Sequence, residues 1–164
     1  MGLAMHPDGV HLATGGIDGT IKLWSTKQAK PLFAARPNGT VVRDLCFDST
    51  GKTIATAHTD GAIWIFEGDS LRPLRELRGH QGAVNGLAFQ PGTSRLASGG
   101  ADRTVRIWDV TSAAQILTLR GHRRPLEHLA FTPDGSTLAS TSLDGTVQLW
   151  ESHVSPQGAS QQRR

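Results

Sequence analysis

The sequence predicts an all-β chain made of four copies of one unit, each with about four short antiparallel strands. Three observations predict it. Asp18, Asp60, Asp102 and Asp144 stand 42 residues apart, and the aromatics Trp24, Phe66, Trp108 and Trp150 keep the same interval. Polar and apolar residues alternate with period two at 104–108 and 146–150, the pattern of a half-buried strand. Turn formers punctuate every copy at matching places, and no segment carries a helical period. Self-similarity at such a period signals stacked units that bury apolar faces against one another.

The first copy, residues 1–26, opens on a strand with Leu3 and Met5 and turns at Pro7-Asp8-Gly9. It continues through Leu12-Ala13-Thr14, turns at Asp18-Gly19 and ends on the strand of Trp24. The second, 27–68, repeats this with Leu45 and Phe47, Ser49-Thr50-Gly51, Ile54-Ala55-Thr56, Asp60-Gly61 and Phe66. The third, 69–110, has Val84–Phe89, Pro91-Gly92, Leu96-Ala97-Ser98, Asp102-Arg103 and Trp108. The fourth, 111–151, has Leu126–Phe131, Pro133-Asp134-Gly135, Leu138-Ala139-Ser140, Asp144-Gly145 and Trp150. Val84–Phe89 and Leu126–Phe131 read as strands covered on both faces. Residues 152–164 are polar, hold Pro156 and Gly158, and read as a disordered tail.

The composition fits a folded domain of ordinary apolar content, 164 residues with 37% hydrophobic residues and 19 glycines. No apolar run reaches the roughly 18 residues of a membrane-spanning helix, and the start MGLAMHPDG does not read as a signal peptide. The single cysteine, Cys46, excludes an internal disulfide and fits a cytoplasmic or other reducing compartment. It shares its column with Ala4, Ala88 and Ala130, a small core position.

The repeat resembles the WD40 family. The residues that carry the resemblance are Arg78-Gly79-His80, Leu96-Ala97-Ser98-Gly99-Gly100, Asp102 and Ile107-Trp108-Asp109, echoed by Arg120-Gly121-His122, Leu138-Ala139-Ser140, Asp144 and Leu149-Trp150-Glu151. The resemblance implies a β-propeller of four-stranded blades. It further implies that His80, Ser98, Asp102 and Trp108 meet as a structural tetrad, with His122, Ser140, Asp144 and Trp150 as a second. The physical need is a partner for a buried indole N–H. Copies one and two depart from the pattern. Copy one has no position for the histidine, and copy two has Asn38 in its place and Phe66 for the indole. Without an indole donor, copy two has no need of that histidine. Trp64 occupies a column otherwise held by Lys22, Arg106 and Gln148, and is expected to pack against a neighbouring blade.

A Ser–His–Asp grouping also suits a hydrolase, but these serines lie inside strands and recur in two copies without a Gly-x-Ser-x-Gly elbow. No catalytic residue is assigned. His6 and His11 flank a turn, but no second ligand pair and no His/Cys cluster supports them, and no phosphate loop or calcium loop is present, so no metal or cofactor is expected. The net charge is +3, and 13 of the 17 basic residues are arginine. Arg78, Arg120, Arg123 and Arg124 cluster around the two Gly-His turns.

In the family, partners dock where connections enter each blade. By position this points to Arg43, Asn85 and Glu127, and to Thr59, Ala101 and Leu143 with Ile17, which differ between copies while their neighbours do not. Arg123 and Arg124 extend that face. The expected function is a non-catalytic scaffold for other proteins or peptides. The alternative is a binder of acidic or phosphorylated peptide or of nucleic acid through the arginine rim, with nucleic acid disfavoured by the modest charge and the lack of a stacking platform. Family members most often close with seven blades, more than 164 residues can form. A partial or open propeller is therefore expected, first as a piece of a longer protein, then as an assembly such as two copies in an eight-blade ring, then as an irregular four-blade ring.

Overall fold

The computed structural model describes residues 2–28 and 30–151, and all regular elements among them are strands. The first sheet contains β1 (Gly2–Met5), β2 (His11–Gly15), β3 (Ile21–Ser25) and β4 (Pro31–Ala35). The second contains β5 (Val42–Phe47), β6 (Thr53–His58), β7 (Ile63–Glu67) and β8 (Pro73–Leu77). The third contains β9 (Val84–Phe89), β10 (Arg95–Gly100), β11 (Thr104–Asp109) and β12 (Ala114–Arg120). The fourth contains β13 (Leu126–Phe131), β14 (Thr137–Ser142) and β15 (Val147–Glu151). Each sheet is an antiparallel meander in chain order. The tail proposed for 152–164 lies outside the described residues.

The inner strands β1, β5, β9 and β13 sit side by side in that order, so the sheets stack as successive blades. Period two puts alternate residues of a strand on opposite faces. Leu45 and Leu87 therefore face the preceding blade, while Ile21, Ile63 and Val105 face the following one. Two clusters span the joints. Ile21 and Leu23 meet Val42, Leu45 and Phe66, while Ile63 and Ile65 meet Leu87, Leu96 and Trp108. A third joins Ala97 and Val105 to Leu126 and Leu138.

The two ends of the stack differ from its middle. Ile21 and Ile63 are 0% exposed and Val105 1%, but the equivalent Val147 is 63% exposed and Leu149 66%. At the other end Leu3 is 65% exposed, against 3% for Leu45 and 5% for Leu87. Strand β13 consequently departs from its expected double coverage. His128 and Ala130 are exposed, because no described blade follows.

Three registers slip by one residue just before the repeated aromatic, between Leu23 and Trp24, Ile65 and Phe66, and Ile107 and Trp108. Such bulges increase local twist, which suits sheets stacked around a shared axis. The Asp-Gly turns place Gly19, Gly61 and Gly145 at φ 79, 84 and 81°, where a side chain is strained. Copy three holds Arg103 in that column at φ 64°.

Candidate functional site: the rim beside the inner strands

The tetrad of copy three is built by strand pairing. Ser98 on β10 faces the β11 partner column, and the Trp108 indole Nε1–H donates to Ser98 Oγ at 2.7 Å. His80 Nε2 lies 2.7 Å from the same oxygen, and His80 Nδ1 lies 3.0 Å from Asp102 Oδ2. The serine has one proton. Since its oxygen accepts from the indole, its O–H donates to His80 Nε2, which leaves the imidazole proton on Nδ1 to donate to Asp102. Burial raises the Asp102 pKa, but hydrogen bonds from His80 and the Gln81 N–H outweigh it and hold the carboxyl well below the usual range. Copy four repeats the chain, from Trp150 to Ser140 at 2.9 Å, Ser140 to His122 at 2.8 Å and His122 to Asp144 at 3.2 Å. Asp144 is held low by the Thr146 hydroxyl and the Arg123 N–H. Both serines are buried with their oxygens occupied, an arrangement that ties strand connections together and leaves no exposed nucleophile.

Copies one and two solve the problem differently. Trp24 donates to Thr14 Oγ1 at 2.9 Å. In copy two a histidine is present after all, in a place the spacing does not reveal. His58, at the end of β6, is fully buried, with Nε2 3.0 Å from Thr56 Oγ1 and Nδ1 3.2 Å from Thr40 Oγ1. Asn38 donates to Asp60 at 3.0 Å, completing a path from Asp60 through Asn38 and Thr40 to His58. Burial pushes the His58 pKa below its ordinary value. The tetrad histidine is absent from copy two, with Asn38 in its column and Phe66 offering no indole N–H, and His58 belongs to a separate path that ends on Thr56. Trp64 packs against the cluster shared by the first two blades, 6.3 Å from the Phe66 ring, and its buried Nε1 has no partner among the described residues.

Val42 pairs with His58, Val84 with Gly100 and Leu126 with Ser142. This pairing brings the start of each inner strand to the turn before each repeated Asp. Arg43, Asn85 and Glu127 thus share a rim with Thr59, Ala101 and Leu143. Arg43 Nε donates to Asn85 Oδ1 at 3.2 Å, and Asn85 Nδ2 donates to the Leu126 carbonyl at 2.8 Å, a bridge across three blades. The N–H groups of Thr59, Ala101 and Leu143 donate to Val41, Ala83 and Pro125 at 3.2, 2.8 and 3.0 Å. One backbone bond recurs three times while the side chains above it change and stay exposed.

The predicted arginine cluster divides. Arg78 pairs with Glu76 at 2.6 Å and Asp60 at 3.5 Å. Arg120, Arg123 and Arg124 are exposed, without an ion pair among the described residues. Beneath the rim, Asp44 Oδ2 accepts the Leu87 N–H at 2.8 Å and fastens β5 to β9, and burial raises its pKa. Burial also pushes the Cys46 thiol far up, which suits a packing role and not a reactive one. On another part of the first blade, His6, Asp8 and His11 converge, with one potential ligand atom each within 4.8 Å of the others. The third group comes from within the same turn and not from a second His/Cys pair.

Among the solved structures that the chain is similar to are two with a TM-score of 0.85. One, described as the structure of U3-55K, is 29% identical over 92% of this chain and 48% of its own. The other, the RRP9 WD40 repeats, is 30% identical over 91% of this chain and 47% of its own. The chain therefore spans about half the length of the solved structures it matches. No curated protein sequence matches it. The model of the WD domain, G-beta repeat, matches four times, at residues 1–25, 31–67, 71–109 and 113–151. With four matched copies on four stacked blades, the chain belongs to the WD40 repeat family.

Proposed function

We propose that the chain is a non-catalytic interaction scaffold that binds other proteins or peptides at the rim of Arg43, Asn85, Glu127, Thr59, Ala101 and Leu143. The observation that carries this reading is the recurring backbone bond under Thr59, Ala101 and Leu143, which holds the frame constant and varies the exposed side chain. Arg103 adds support. It keeps a left-handed φ of 64° beside this rim where three other copies have glycine, and backbone strain of this kind clusters at binding sites. The half-buried Cys46 suits a reducing compartment such as the cytoplasm. The apolar ends of the stack favour a place within a larger propeller or assembly, covered by further blades or by a second copy.

A photo-crosslinker at Ala101 or Leu143 tests the rim. Protein adducts should form there, not at Thr93 on the opposite β9–β10 turn, and should be lost in Arg43→Ala/Glu127→Ala with the melting temperature unchanged. Equal labelling at both places contradicts the reading.

Arg120, Arg123 and Arg124, unpaired among the described residues, favour a second reading, an acidic or phosphorylated ligand on blade four. Retention on heparin that falls steeply with salt and disappears in Arg123→Glu/Arg124→Glu supports it. Absence of retention at low salt removes it.

A further inference from the structure

We propose that His6, Asp8 and His11, gathered by the β1–β2 turn of the first blade, form a binding site for a divalent transition-metal ion of the zinc type. The three potential ligand atoms lie within 4.8 Å of one another. His11 Nδ1 is 2.7 Å from Asp8 Oδ2, and His6 Nδ1 is 3.0 Å from Asp8 Oδ1. Ligands around a four-coordinate zinc at about 2.0–2.1 Å are themselves only a little over 3 Å apart, so small side-chain adjustments seat the ion.

The tautomer of His6 makes the case specific. Its Nε2 faces the Gly51 carbonyl of the second blade at 3.1 Å, and a carbonyl only accepts, so Nε2 carries the proton. Its Nδ1 receives the Asp8 N–H at 3.2 Å, which identifies Nδ1 as the lone-pair nitrogen. That lone pair also faces a carboxylate oxygen. Two acceptors opposed at 3.0 Å repel unless a proton or a metal cation lies between them, and a metal ion would satisfy both at once. A histidine whose second nitrogen is fixed by a carbonyl is the usual arrangement of a metal ligand. The ring is held further by an edge contact with Phe47, centroids 4.9 Å apart. Two histidines and a carboxylate favour zinc, nickel, cobalt or copper over calcium and magnesium, which take oxygen. Three protein ligands leave a further coordination position for water.

The other copies indicate that the fold does not require this cluster. The equivalents of His6, Asp8 and His11 are Asp48, Thr50 and Thr53, then Gln90, Gly92 and Arg95, then Thr132, Asp134 and Thr137. Copy four keeps the same Pro-Asp-Gly turn and closes it with hydroxyls, Thr132 donating to Asp134 at 2.5 Å. The turn therefore forms without histidines, on the Thr132 and Ser136 hydroxyls, and the histidine pair is particular to blade one.

The test uses the whole chain stripped with chelator and titrated with Co²⁺, then with Zn²⁺ in competition. One ion per chain is expected, with cobalt visible absorption displaced by zinc. The His6→Thr/His11→Thr variant, which copies the fourth turn, should keep its circular dichroism and weaken binding at least tenfold. His128→Gln, which alters an exposed histidine elsewhere, should bind as the parent does. No saturable binding, or binding unchanged in the double threonine variant, overturns the proposal, as does loss of binding in His128→Gln alone.

Discussion

Ser98 has one proton to give and one indole to receive, and the strand pairing satisfies both. The Trp108 side chain is 1% exposed, so Trp108→Ala removes a large packed ring and also leaves a buried serine–histidine pair short of a donor. We predict a loss of about 3–5 kcal/mol in denaturant melts. Phe66→Ala should fall at the low end of that range, since its ring carries no hydrogen bond, and Trp150→Ala should cost about half as much because its ring is half-buried at an open end. Negligible, equal losses at all three positions would contradict the blade assignment. His58 gives a pH signature. Its folded pKa lies below the ordinary value, so the unfolded chain takes up the proton first as pH falls through about 6.5. Stability should therefore drop between pH 7.5 and 5.5, and less steeply in His58→Ser, measured by urea unfolding at each pH. The tetrads were read through the family resemblance, whose residues recur in register in copies three and four. His58 was not, because its column holds Gly16, Gly100 and Ser142, and a residue without repetition gives no periodic signal. Of the His6–Asp8–His11 cluster the sequence showed the two histidines flanking a turn but not the carboxylate between them, since no repeat marks it.

At the scale of strands and turns, most of the architecture could be read from the 42-residue interval. Val84–Phe89 and Leu126–Phe131 coincide with β9 and β13. What the pattern could not supply was the neighbour. Strand β13 has nearly the composition of a doubly covered strand, yet His128 and Ala130 are exposed because burial depends on the next blade and not on the strand alone. The pairing of Arg78 with Glu76 and Asp60 was likewise invisible, since it depends on side chains meeting across a strand and a turn. The β10–β11 turn offers a direct check on the frame. A left-handed residue with a side chain costs roughly 1 kcal/mol relative to glycine, part of which is offset by the freedom glycine adds to the unfolded chain. Arg103→Gly should thus raise stability by about 0.5–1 kcal/mol by chemical denaturation. It should also weaken any ligand of the rim. A destabilised Arg103→Gly would mean that the turn is not the shared Asp-Gly turn of the other copies.

At the scale of the molecule, the blades form a stack with the same kind of apolar surface at both ends. Val147 and Leu149 present what Val105 and Ile107 present to blade four, and Leu3 and Met5 present what Leu45 and Phe47 present to blade one. Each end is therefore shaped for a surface like the other, and burying such surface contributes about 25 cal/mol per Å². The rim, in contrast, varies in character from copy to copy on a constant backbone, which suits recognition. The most direct test of this account is the native mass by light scattering of the expressed chain and of Val147→Lys/Leu149→Lys. Two unpartnered apolar ends should give a mass above the 17.5 kDa of one chain, rising with concentration toward a dimer or larger species, and a shift toward monomer in the lysine variant. A stable monomer at all concentrations, with no change in mass or stability on placing two lysines in the end face, would contradict it.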